Sequence, residues 1–97
     1  MSVRLELVPY QISYSRKARK AVENLSDENF DRVLIGVEKL AEFAIGDIET
    51  LGKGYITAYR LRVGDLRLYF YTKLEPPTIF IADLEKRGEA YRKKSRR

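Results

Sequence analysis

The sequence predicts an α+β fold: an N-terminal strand, a two-helix hairpin, then a three-stranded antiparallel meander. Three observations predict it. Apolar residues recur at helical spacing from Ala18 to Ala44, interrupted once at Leu25-Ser26. Gly64-Asp65 then separates two alternating runs, as a hairpin turn does. Pro76-Pro77 divides the second run from a third.

Taken in order, Val8 to Tyr14 alternates, with Tyr10, Ile12 and Tyr14 on one side, and reads as a strand. Ser15 is an N-cap. Behind it Ala18, Ala21, Val22 and Leu25 form one helical stripe, and Arg16, Lys17, Arg19 and Lys20 form the other face. Ser26 caps a second helix, whose first turn carries Asp27 and Glu28 where negative charge suits the helix dipole. Phe30, Val33, Leu34, Val37, Leu40, Ala41 and Ala44 make its apolar stripe, and Gly46 is placed at its end. Asp47 to Gly54 reads as a loop. Tyr55–Val63 and Leu66–Thr72 are the hairpin strands, and Thr78–Leu84 is the third strand of the meander.

With 97 residues the chain makes one domain, placed over 1–91, followed by a basic, flexible tail over 92–97. There is no cysteine and no histidine. This excludes a disulfide scaffold, a Cys or Cys/His zinc site, a thiol nucleophile and a Ser-His-Asp triad. No metal and no cofactor is expected. No apolar run approaches a membrane span, and Met1 to Tyr10 has no signal-peptide core, so a cytoplasmic protein with no membrane partner is expected.

The net charge of +5 is segregated. Residues 1–22 carry +4, residues 23–51 carry −6 and residues 52–97 carry +7. Charge by itself leaves two readings open: a nucleic-acid partner for a one-sided basic field, or a mixed surface with a basic tail.

The hairpin register sharpens this. With Gly64-Asp65 as the two-residue loop, Val63 pairs with Leu66, Arg62 with Arg67, Leu61 with Leu68, Arg60 with Tyr69, Tyr59 with Phe70 and Ala58 with Tyr71. One face then carries Tyr59, Leu61, Val63, Leu66, Leu68 and Phe70, a core face. The other carries Arg60, Arg62, Arg67, Tyr69 and Tyr71. Like charges directly opposite each other are destabilising, so Arg62 facing Arg67 calls for a reason. Guanidinium forks bind phosphates and tyrosine rings stack on bases, which makes this face a candidate RNA-binding surface. The alternative is an ordinary exposed face with its arginines bent toward nearby acids. Asp65 is the only acid between Lys53 and Lys73, which leaves that alternative short of partners.

The chain resembles the RelE/ParE toxin superfamily over nearly its whole length. The resemblance runs through Ile12-Ser13-Tyr14-Ser15 and the basic helix, and through Leu51-Gly52-Lys53-Gly54. It is sharpest in Tyr59-Arg60-Leu61-Arg62-Val63-Gly64-Asp65-Leu66-Arg67 and continues in Lys86-Arg87-Gly88-Glu89-Ala90-Tyr91. It implies a RelE-like fold similar to a microbial ribonuclease. It implies a ribosome-dependent endoribonuclease that cuts translated mRNA by attack of a 2′-hydroxyl on the adjacent phosphate. Arg67 and Arg87 would then stabilise the pentavalent phosphate, with Tyr91 stacking on a base or positioning the 2′-hydroxyl. Lys53, Arg60, Arg62, Tyr69, Tyr71 and Lys86 would bind the message. The implied partners are a cognate antitoxin protein, the ribosome and mRNA, with the toxin monomeric or in a toxin–antitoxin hetero-oligomer. Two departures stand out: no Glu is visibly placed as a general base, and Glu85 stands where many relatives are basic. A ParE-like inhibitor of DNA gyrase and a non-catalytic RNA-binding module of the same fold are the alternatives.

Overall fold

A computed structural model describes residues 5, 8–52 and 57–86. In chain order the elements are β1 (Gln11–Tyr14), α1 (Arg16–Glu23), α2 (Asp27–Phe43), β2 (Asp47–Gly52), β3 (Ala58–Val63), β4 (Leu66–Leu74) and β5 (Pro77–Lys86). The strands form a single sheet in the order β1-β5-β4-β3-β2, with β1 parallel to β5 and every other pairing antiparallel.

Both helix starts are capped by serine. Ser15 Oγ accepts the Ala18 N–H at 3.0 Å, and Ser26 Oγ accepts the Asn29 N–H at 3.2 Å. Ser15 has a second task, because its hydroxyl donates to the Ala82 carbonyl at 2.7 Å. Its own N–H donates to the Ile81 carbonyl at 2.9 Å. These bonds tie the start of α1 to β5 just where β1 stops pairing with it.

The second helix ends earlier than the sequence predicts. Ala44 adopts the left-handed conformation (φ 57°), and its N–H bonds the Leu40 carbonyl at 3.0 Å. Gly46 lies beyond the cap and serves close approach instead, since a Cβ there would meet Leu61 Cδ1 at 2.7 Å. The next stretch corrects the sequence reading outright. Asp47–Gly52, read as loop, is an edge strand paired antiparallel with β3.

The hairpin has the register derived from its turn, residue for residue. Gly64 has φ +60°, while Asp65 keeps negative φ, the pattern of a type II′ turn. The core lies between the helices and one face of the sheet. Ala18, Val22, Val33, Val37, Leu40 and Ala41 meet Leu61, Leu66, Leu68, Phe70, Ile79, Ile81 and Leu84. Burial of each large aliphatic side chain here contributes about 1.5–3 kcal/mol. Phe30 and Leu34, predicted for this core, sit at its margin and stay exposed. No described helix is long and apolar enough to cross a membrane.

Candidate nucleic-acid interface

The sheet face away from the helices holds five of the predicted residues together: Arg60 and Arg62 on β3, and Arg67, Tyr69 and Tyr71 on β4. Alternation puts them there because their neighbours Leu61, Leu66, Leu68 and Phe70 are drawn into the core.

The structure supplies acids that the local sequence lacks. On β2, Glu49 pairs with Arg60 and Asp47 with Arg62 in the ladder. On β5, Glu85 pairs with Arg67 and Asp83 with Tyr69. Two rows therefore cross four strands, Glu85–Arg67–Arg62–Asp47 and Asp83–Tyr69–Arg60–Glu49. The basic and aromatic positions run down the middle and carboxylates line both sides. The expectation that these arginines lack acidic partners is corrected, because the acids come from strands distant in sequence.

A bulge makes the second side possible. Tyr69 is opposite Asp83 but Phe70 is opposite Ile81, so Ala82 is an extra residue in β5. Before it, Thr78 and Phe80 share the arginine face while Ile79 and Ile81 are buried; after it, Leu84 is buried and Asp83 and Glu85 take the arginine face.

Side-chain contacts follow the rows. Glu49 Oε1 accepts from the Arg60 and Arg62 guanidiniums, the latter at 3.3 Å. The hydrogen bond from Arg60, followed by its charge, holds the Glu49 carboxyl below the usual carboxylate range. Arg60 is pushed the other way by the bond to Glu49 and then by Tyr69. Its Nε is buried and has no hydrogen-bond partner among the described residues. Tyr69 donates its hydroxyl to Glu85 Oε1 at 2.6 Å, and Arg67 Nη1 lies 3.5 Å from the same oxygen.

Sequence reasoning missed Phe80. Its ring lies 5.1 Å from that of Tyr71, and Lys73 Nζ sits 5.0 Å above it, which extends the aromatic strip across β4 and β5. The signal was the alternation of Thr78 and Phe80 against Ile79 and Ile81. Lys86 is placed elsewhere. It pairs with Leu66, a core-side position, and meets Asp83 and Glu85 only at a cavity of about 460 Å³ that opens at the edge of β5 beside Lys17, Asn24 and Asn29. Lys53, Arg87 and Tyr91, and the segment 92–97, lie outside the described residues. Among the described residues no group of three acidic side chains converges to hold a metal ion.

No family model and no curated protein matches the sequence. Solved structures do match. A chain of the archaeal RelE–RelB complex from Pyrococcus horikoshii is 26% identical with a TM-score of 0.71, over 84% of this chain and 98% of that one. A chain of the RelBE2 toxin–antitoxin complex from Mycobacterium tuberculosis is 20% identical with a TM-score of 0.72, over 84% and 95%. The isolated RelE toxin of E. coli is 21% identical with a TM-score of 0.62, over 90% and 96%. The order of elements and the Tyr59–Arg67 hairpin agree with these likenesses: the chain has a RelE-like fold and is similar to RelE toxins.

Proposed function

We propose that this chain is the toxin of a toxin–antitoxin pair and cuts mRNA on the translating ribosome. The observation that carries the reading is the convergence of Arg60, Arg62, Arg67, Tyr69 and Tyr71 on one sheet face, two strands wide. Catalysis of RNA transesterification asks for a phosphate held in line with the 2′-hydroxyl and for neutralisation of charge on its non-bridging oxygens. Arg67 supplies that charge from the centre of the face, with Arg87 as its partner. Tyr69 and Tyr71 offer stacking surfaces, Tyr91 positions the reacting nucleotide, and Lys53, Arg60 and Arg62 take backbone phosphates, while Lys86, turned to the core side of β5, takes no part on this face. The 2′-oxygen bonds to phosphorus, the 5′-oxygen leaves, and a 2′,3′-cyclic phosphate results.

The carboxylates beside the arginines support a ribosome-bound rather than a free substrate. A phosphate must displace Glu49 to reach Arg60 and Arg62 fully, and a message already held in register bears that cost more easily than a freely diffusing strand. The antitoxin is a protein with an acidic or amphipathic segment, and both work in the cytoplasm. The Pyrococcus and Mycobacterium structures are a RelE–RelB complex and a toxin–antitoxin complex.

The test is expression of this chain alone in a bacterial host, with primer-extension mapping of a translated message and an untranslated control. Cuts confined to the translated message and lost in Arg67→Ala are expected. Growth arrest with intact message and accumulated gyrase–DNA complexes would replace this reading with gyrase inhibition. Salt-dependent RNA binding without arrest or cuts would leave a binding module.

A further inference from the structure

A chain without histidine that activates a 2′-hydroxyl needs another proton acceptor on the same face. Four carboxylates share that face: Asp47 lies at its far side, across Arg62 from Arg67, and the contacts of the other three tell them apart. Glu49 is shared by two guanidiniums, which makes it a weak base. Asp83 accepts the Leu84 N–H at 2.8 Å and pairs with Lys17 of α1 at 3.3 Å, so it faces the edge of the sheet. Glu85 lies in the row with Arg67. Its contacts from Tyr69 and Arg67 both fall on Oε1. Oε2 has no hydrogen bond from any described residue, and the side chain is 39% exposed.

We propose that Glu85 is the general base of this site, an inference that rests on the ribonuclease reading above. The Tyr69 hydroxyl fixes the carboxylate by one oxygen and leaves the other to accept a proton. Arg67 touches the same carboxylate, so a phosphate on the Arg67 guanidinium has its neighbouring 2′-hydroxyl within reach of Oε2. As the O2′–P bond forms, the 2′ proton passes to Glu85. As the P–O5′ bond breaks, the 5′-oxygen takes a proton from water, and Glu85 returns its proton to solvent. The groups facing Glu85 are Arg67 and Tyr69 from β4, with Asp83 and Lys86 beside it on β5 and Lys17 of α1 beyond Asp83. The Ala82 bulge places it on this face.

The experiment is single-turnover cutting of a short message on programmed ribosomes by wild type, Glu85→Gln, Glu85→Asp and Tyr69→Phe, each also assayed for ribosome affinity. Glu85→Gln is expected to lose about 100-fold or more in rate, the scale of a general base, with ribosome affinity unchanged. The fall in rate toward low pH shown by wild type disappears in Glu85→Gln and survives in Glu85→Asp. Tyr69→Phe loses less than Glu85→Gln. Cutting by Glu85→Gln at the wild-type rate overturns the inference and leaves the ribonuclease reading standing. So does a loss of rate matched by a loss of ribosome affinity with an unaltered pH profile, which assigns Glu85 to holding Arg67. A message left uncut by wild type removes the ribonuclease reading and this inference with it.

Discussion

Arg62 stands directly opposite Arg67 across the β3–β4 ladder, and each is compensated by a carboxylate from the strand on its far side. Glu49 of β2 lies 3.3 Å from Arg62, and Glu85 of β5 lies 3.5 Å from Arg67. The like-charge pair is tolerated because neither guanidinium relies on the other's strand for its counter-charge. Phosphates of a bound strand would enter between the two lines of acid, where the arginines are.

The Glu49 contact predicts an acid-sensitive contribution to stability. Its folded carboxyl titrates below its unfolded value, so the stabilisation is full above the ordinary value of 4.5 and is lost as pH falls through the depressed folded one. Glu49→Gln is expected to be less stable than wild type at neutral pH, with the gap narrowing as pH falls below 4.5. Urea midpoints measured across that range check this, and a gap independent of pH would refute it.

Arg62 is 52% exposed, so Arg62→Ala is expected to shift folding stability by no more than about 0.5 kcal/mol. Its loss should show in binding instead. If Arg62 contacts one phosphate, the slope of log affinity against log salt for single-stranded RNA falls by about 0.7. An unchanged slope would remove Arg62 from the interface.

Ser15 both caps α1 and anchors it to the bulge at Ala82. Ser15→Ala is expected to cost about 1–2 kcal/mol, the loss of a cap together with a tertiary hydrogen bond. Ser26→Ala, whose exposed hydroxyl makes the cap bond alone, should cost less. Equal shifts in denaturant midpoint would show that the Ala82 bond contributes nothing.

Gly64 holds the hairpin with φ +60°, and the nearest side-chain atom to a Cβ there is Arg32 Nη1 at 3.6 Å. Space is therefore adequate and backbone strain decides the outcome. Gly64→Ala is expected to destabilise by about 1–2 kcal/mol. Gly52→Ala, where a Cβ meets nothing within 4 Å, serves as the control in the same unfolding series.

What was legible in the sequence was local. Ser15 and Ser26 cap helices because a hydroxyl three residues ahead of a free N–H suffices. The Gly64-Asp65 turn sets the register of Ala58–Val63 against Leu66–Tyr71 because a two-residue loop allows one pairing. The faces follow from a period of two. The resemblance to RelE-like toxins came from the same hairpin.

Other features depended on residues far apart in the chain. Asp47–Gly52 carries little apolar alternation, because an edge strand with only Ile48 turned toward the core has little to bury. Its identity as a strand depends on the open edge of β3. The end of α2 at Ala44, two residues before Gly46, depends on how closely the chain must pass Leu61.

By itself, then, the sequence determined the helices, the hairpin and the central basic and aromatic strip, all governed by caps, turns and periodicity within a few residues. Tertiary structure decided the sheet order and the Ala82 bulge, and through them which carboxylate meets which arginine. The physical reason is that counter-charge acts through space. Glu49 and Glu85 lie 13 and 18 residues from the arginines they contact at 3.3 and 3.5 Å, and only the assembled sheet brings them together.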